Sequence, residues 1–201
     1  MRPEEALLMF QVRLHGRGGQ GVVTSAELLS VAAFSEGKHA QAFPSFGSER
    51  MGAPVMAFCR ISDQPIRTRE PVVSPDALLI QDSTLLHQVD VFAGLQPESF
   101  MLINTPRGFE DLGLDEYVAR MHRDRLLVVP ATQMAQVHLG RPLPGVPLLA
   151  GFAALTGQVS LDSVITAIGD RFSGKIAAGN TAAAREAFEF VQAERKALAD
   201  A

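Results

Sequence analysis

The sequence has no tryptophan, one tyrosine (Tyr117) and one cysteine (Cys59) in 201 residues. With a single thiol the chain can form no internal disulfide and offers no cysteine-only metal site, so a reducing, intracellular setting is expected. The near absence of Trp and Tyr argues against a surface that stacks nucleic-acid bases, although Phe is plentiful. Net charge is only −4, so no basic excess exists to hold nucleic acid. No uncharged apolar run approaches a membrane span. The opening residues MRPEEALLMF lack the basic start and long apolar core of a signal peptide. These absences point to a cytoplasmic protein without nucleic-acid or membrane partners. The balance of 47% hydrophobic and 20% charged residues is globular, and the length suffices for one well-packed domain with at most a small appendage.

The most informative stretch is Val12-Arg13-Leu14-His15-Gly16-Arg17-Gly18-Gly19-Gln20-Gly21-Val22-Val23. An apolar run ends in four glycines among six residues, and a helical pattern follows. Strand, tight turn and helix N-terminus in that order point backbone N–H groups and the positive end of a helix dipole at one spot. Gly16, Gly18 and Gly21 satisfy G-x-G-x-x-G, the spacing of a dinucleotide turn. A dinucleotide site also needs an acid near the end of the second strand, and Lys38–Phe43 (KHAQAF) contains none. The glycines can equally serve only the turn and helix–strand packing. Arg17 and Gln20 sit where a ligand or neighbouring subunit would approach, and Arg17 can fork onto carboxylate or phosphate. His15 reads as a turn or core histidine.

Strands are expected at Phe10–His15, Lys38–Phe43, Val55–Ile61, Ala77–Gln81, Phe100–Asn104 and Leu126–Pro130. Helices are expected at Val22–Glu36, Leu85–Phe92 with Asp82 or Ser83 as cap, and Asp115–His122. Three more are expected at Leu148–Thr156, Ser160–Phe172 and Thr181–Lys196. Gln64–Arg67 fits a turn into a short strand that closes a hairpin with Val55–Ile61. The alternation predicts an α/β fold: a single Rossmann-like domain over 10–195, with 1–9 and 196–201 as terminal extensions. Its sheet is mostly parallel, with an added antiparallel hairpin and helices on both faces.

The segment Gln41–Pro54 (QAFPSFGSERMGAP) is too specific for a solvated connector. Phe43, Phe46 and Met51 together would be costly to leave in water and are expected to dock on this domain or a partner chain. Glu49 and Arg50 can pair with each other, bridge to another subunit, or grip an anion. Elsewhere the bland readings lead. Cys59 is a buried structural thiol; His87, His122 and His138 lack metal spacing; Ser45 and Ser48 lack a nucleophile-elbow context; Arg67 and Arg69 are solvated or rim an interface; Thr24 and Ser25 cap a helix or touch a ligand.

HGRGGQGVVTSAELL, QAFPSFGSERMGAP, CRISDQPIR and PDALLIQDSTLL, in that order, resemble the gamma subunit of the 2-oxoacid:acceptor oxidoreductases. That family includes the pyruvate, 2-oxoglutarate, 2-oxoisovalerate and indolepyruvate ferredoxin oxidoreductases and phenylglyoxylate dehydrogenase. The resemblance runs from about Phe10 to Val191, and Asp82 and Gly174–Asn180 also look familial. It implies an accessory gamma subunit beside alpha, beta and delta-type partners. Such a complex uses thiamine diphosphate, Mg and [4Fe–4S] clusters to convert a 2-oxoacid to acyl-CoA and CO2, and passes electrons to ferredoxin or NAD. One cysteine cannot hold a [4Fe–4S] cluster, so the resemblance leaves this chain no catalytic residue, no metal and no cofactor of its own. What it implies is possible coenzyme A or subunit contacts at Gly16, Arg17, Gly18, Gly19, Gln20, Gly21, Ser48, Glu49 and Arg50. The rivals are a free-standing dinucleotide-binding oxidoreductase and a ligand-free scaffold subunit.

Overall fold

A computed structural model of the chain describes residues 9–45 and 51–200. The expectations for Phe46, Ser48, Glu49 and Arg50 lie outside the described residues. The sheet is built from β1 (Met9–Arg17), β2 (His39–Pro44), β3 (Pro54–Ser62), β4 (Ala77–Ile80), β5 (Phe100–Asn104) and β6 (Leu126–Val129). Its order is β2-β3-β1-β4-β5-β6. β4, β5 and β6 continue parallel from β1, and their short apolar runs are buried on both faces, as interior parallel strands require.

The antiparallel part differs from the expected hairpin. β3 pairs along its whole length with β1, from Met9↔Ser62 to Arg17↔Pro54, and on its other edge with β2, from His39↔Ser62 to Pro44↔Ala57. Both edges of β3 are therefore filled, and Gln64–Arg67 finds no edge to join; it runs on without strand structure.

The helices are α1 (Val22–Ser35), α2 (Asp115–Val118), α3 (Ala131–Leu139), α4 (Gly145–Thr156), α5 (Leu161–Arg171) and α6 (Gly174–Ala199). α1 stops where Gly37 takes φ +80°, and α5 starts where the Ser160 hydroxyl accepts the Ser163 N–H at 3.1 Å. The expected Leu85–Phe92 helix is only a 3-10 turn over Ser83–His87, with Asp82 accepting the Thr84 N–H at 3.0 Å as its cap. α2 ends four residues before His122, whose N–H turns away to the Pro97 carbonyl at 3.2 Å. α6 begins seven residues before the expected Thr181, so Gly174–Asn180 is its first two turns, and it continues past Lys196 to Ala199. α3 carries no local start signal, with no side-chain cap of its own and no acidic residue in its first turn. Its start is capped from another strand: Asn104 Oδ1 accepts the Thr132 N–H at 3.0 Å.

Helices lie on both faces, unequally. α1, α4, α5 and α6 pack against Val12, Leu14, Leu79 and Leu102 on one face, with α4 buried from Gly145 to Leu155. Leu78, Ile80, Met101 and Ile103 on the other face are covered by Leu85, Val91, Phe109 and Leu112 from turns and loops, with α2 contributing Val118. The chain leaves β1 toward β2 on one flank and β4 toward β5 on the other. The C-terminal ends of β1 and β4 thus flank the crevice where open α/β sheets receive ligands.

Candidate functional site

Gly16 closes β1 in a space that admits no side chain: a methyl there would lie 2.6 Å from Val22 Cγ2 and 3.1 Å from Gln81 Cβ. Gly19 and Gly21 take φ +93° and +79°, a left-handed region that favours glycine. Gly21 then caps α1 with no side-chain hydrogen bond, and no acidic residue occupies the first turn. The positive end of α1 is therefore exposed toward whatever meets the loop.

The two loops singled out in the sequence come together. The Gly18 N–H donates to the Ala53 carbonyl at 2.9 Å, and the Gly52 N–H returns to the Gly18 carbonyl at 3.0 Å. Met51 is 87% exposed, and its sulfur lies 2.5 Å from where a Cβ on Gly19 would stand. Gly19 thus serves the close approach of the second loop. A shallow groove of about 300 Å³ runs along Gly18, Gly19, Gly21 and Val55.

The crevice between β1 and β4 is filled by the protein's own side chains. Arg17 makes four hydrogen bonds: Nε to Asp82 Oδ2 at 3.1 Å, and terminal nitrogens to the Gly52 carbonyl, Thr84 Oγ1 and Gln88 Oε1. Gln20 Nε2 reaches the same Asp82 oxygen at 2.9 Å, and Gln20 Oε1 accepts the Arg17 N–H at 2.8 Å. Burial alone would push the Asp82 carboxyl up. The hydrogen bonds from Thr84 and Gln20 and the Arg17 charge outweigh burial and hold it below the usual carboxylate range. Arg17 and Gln20 therefore fasten the glycine loop to the end of β4. A dinucleotide has no vacant crevice there, and β2 ends in Phe43-Pro44 without an acid.

Strand alternation places Arg13, His15 and Arg17 on the face opposite Val12 and Leu14. Arg13 is 5% exposed and donates to the carbonyls of Val72, Val73, Val91 and Ala93, tying two loops to β1. Burial, then the Arg13 charge, lowers the His15 pKa from 6.5 to about 4. His15 is accordingly neutral in the fold and charged in the unfolded chain below pH 6.5. The unfolded state binds the extra proton, so stability is complete above pH 6.5 and falls as pH drops toward 4. The expected loss is up to about 3 kcal/mol. Thermal melts across this range should show the slope, and His15→Gln should flatten it; an equal slope in the variant removes His15 as its cause.

The remaining candidates take structural places. Ser25 Oγ donates to the Gly21 carbonyl and accepts from buried Gln81 Nε2 at 2.9 Å, joining α1 to the end of β4. Cys59 is fully buried in β3, where desolvation pushes its thiol up. His138 pairs with Glu186 at 2.6 Å, and Arg67 and Arg69 are exposed. Among the described residues no group of three His, Cys, Asp or Glu side chains is placed to hold a metal. Nor is any described helix long and apolar enough to cross a membrane. The roles of Arg13 and of the partners of Arg17 are not legible from the chain. Their one signal was basic residues at alternate positions of a strand buried on both faces.

Residues 11–190 match the family described as pyruvate ferredoxin/flavodoxin oxidoreductase. The chain is 48% identical over 181 residues to pyruvate synthase subunit PorC of Methanothermobacter marburgensis, covering 90% of this chain and 97% of that one. It is 46% identical over 186 residues to the pyruvate/ketoisovalerate oxidoreductases common subunit gamma of Pyrococcus abyssi, covering 92% and 98%. The crystal structure of pyruvate oxidoreductase subunit PORC from Thermotoga maritima superposes with a TM-score of 0.76 at 32% identity, covering 90% of this chain and 96% of that chain. Fold, paired loops and relatives of nearly equal length agree: the chain belongs to the gamma subunits of the pyruvate/2-oxoacid:ferredoxin oxidoreductases.

Proposed function

We propose that this chain is the accessory gamma subunit of a cytoplasmic complex that oxidatively decarboxylates a 2-oxoacid to an acyl-CoA. Thiamine diphosphate, Mg and the [4Fe–4S] clusters are held by alpha, beta and delta-type partners, and electrons leave to ferredoxin or NAD. One buried cysteine supports that division, because a [4Fe–4S] cluster takes four thiolates. The gamma chain packs on the catalytic subunits through its paired loops and helps to enclose the coenzyme A site.

The observation that carries this reading is the junction of the two loops. The backbone pairing of Gly18 with Gly52 and Ala53 sets an uncapped helix N-terminus beside an outward-facing methionine. An uncapped N-terminus suits the phosphates of coenzyme A, and an exposed Met suits an adaptable apolar subunit contact. Arg17 supports the loop rather than reaching the coenzyme, since its guanidinium is engaged with Asp82, Gly52, Thr84 and Gln88. Ser48, Glu49 and Arg50 complete the proposed contact set. With the β1–β4 crevice filled, no observation favours a free-standing dinucleotide enzyme.

The test compares Gly21→Asp with Gly21→Asn in the assembled complex. A Cβ at Gly21 meets nothing within 4 Å, and both residues tolerate its positive φ, so the pair differs in charge. Gly21→Asp should raise the KM for coenzyme A about tenfold or more over Gly21→Asn, with assembly intact. Equal KM values in intact complexes remove the coenzyme contact. Loss of assembly in both variants assigns the loops to subunit packing alone.

A further inference from the structure

β2 closes one end of the sheet. It pairs with β3 along one edge, and among the described residues no strand pairs with its other edge. The register decides which backbone groups that outer edge presents, because antiparallel strands bond at alternate residues. The Ser45 N–H donates to the Met56 carbonyl at 2.8 Å, so Phe43 and Gln41, on the same alternation, also turn toward β3. Ala40, Ala42 and Pro44 turn outward. Ala40 and Ala42 each hold an N–H and a carbonyl away from the sheet, and Pro44 has no N–H to offer.

Sheet edges are commonly guarded by charge, by a bulge or by a covering element. His39–Pro44 (HAQAFP) carries no Asp, Glu, Lys or Arg. Lys38, just before it, is drawn away, its ammonium going to the Gln158 carbonyl and to Glu36. The ladder to β3 runs unbroken from His39↔Ser62 to Pro44↔Ala57. Ala40 and Ala42 pack into the core on the α1 face. An apolar side chain stands beside the edge as well. Val23, Ser30 and Phe34 share one flank of α1 by helical spacing. Val23 on that flank meets Val55 of β3, whereas Ser25 on the other flank meets Gln81 of the β4 side. Phe34 therefore lies on the β2 side of α1, where it is 73% exposed. The Gly37 N–H, bonded to the Phe34 carbonyl at 2.9 Å, holds it near the start of β2.

We propose that two copies of this chain join through their β2 edges, antiparallel about a two-fold axis at Gln41, into one continuous sheet. In that register Ala40 of each copy lies opposite Ala42 of the other, and the outward N–H and carbonyl of both residues are all used. A two-fold contact requires a surface that complements itself. Outward residues set symmetrically about Gln41 meet that requirement, and methyl side chains allow the close approach. Lys38 then lies across from Pro44 of the second copy, which brings Phe34 over that proline. The symmetric spacing and this apolar match favour a second copy over a strand of a different protein. The assignment is independent of the subunit reading, because oligomeric state is read on the full chain alone.

Sedimentation of the full chain from about 1 to about 200 µM should show a monomer–dimer equilibrium. Amide exchange followed by NMR should slow at Ala40 and Ala42 as concentration rises, while Gln41 and Phe43, bonded to β3, stay protected throughout. Ala42→Pro removes an outward N–H at an edge position where proline is tolerated, and should weaken the dimer about 30-fold or more with the fold intact. Phe34→Lys leaves the strand untouched and should weaken it about tenfold at an unchanged melting temperature. A monomer across the whole range overturns the proposal, as does an Ala42→Pro chain that dimerises like wild type. A dimer in which the Ala40 and Ala42 amides exchange as freely as in the monomer uses another face and also overturns it. Protection of those amides only in the assembled complex overturns it too, and gives the edge to a strand of another subunit.

Discussion

Arg13→Met is expected to lower the melting temperature by about 10 °C or more. The carbonyls of Val72, Val73, Val91 and Ala93 converge on one guanidinium, and methionine offers them no donor. Removing one side of a buried charged hydrogen-bond set costs about 3–5 kcal/mol, since the stranded acceptors remain desolvated. In a domain of this size each kcal/mol moves Tm by roughly 2–4 °C. Arg13→Lys should recover only a minor part. A single ammonium cannot reach both the 72–73 and the 91–93 segments as the planar fork does. Hydrogen exchange should rise first in these two segments. Wild-type melting and protection in Arg13→Met would show that the loops are held by packing alone.

The second large effect is expected at Asp82. Its carboxylate accepts from Arg17 Nε, Gln20 Nε2, the Thr84 N–H and the Thr84 hydroxyl, so Asp82→Ala releases the glycine loop from the end of β4. The expected loss is about 2–3 kcal/mol, below that of Arg13, because the Arg17–Asp82 pair keeps some contact with water. Asp82→Asn should fall between, keeping an acceptor but losing the charge. If the glycine loop packs on partner subunits as proposed, assembly should suffer more than stability does, since the loop loses its anchor while the core persists. The Arg17→Ala/Asp82→Ala cycle should give a coupling of about 1–2 kcal/mol. Strictly additive single substitutions, with assembly unchanged, would exclude the anchoring role.

Both residues show what was readable from the chain. Strand β1, the glycine turn and α1 were legible because their signals are local: period-two alternation, positive-φ glycines, then helical spacing stopped by Gly37. The apolar runs of β4, β5 and β6 were legible for the same reason. α3 was not, because its cap comes from Asn104, 28 residues upstream, and no local signature marks its start. The Val55–Arg67 hairpin was misplaced because pairing partners are set by which edges are vacant, and β1 and β2 fill both edges of β3.

The site divides in the same way. That the glycine turn ends in an exposed helix N-terminus follows from glycine spacing; that it meets the end of Gln41–Pro54 does not, and comes from the pairing of Gly18 with Gly52 and Ala53. The polar identity of Arg17 was plain in the sequence; its direction was not. A fork that suits phosphate suits a carboxylate equally well, and the topology places Asp82 within 3.1 Å. Local sequence thus determined backbone conformation, because turn geometry and hydrophobic period act over a few residues. Tertiary structure decided the partners of each charge, because an ion's role depends on which opposite charge or ligand the fold brings within a few ångströms, and that distance is set by elements far apart in the chain.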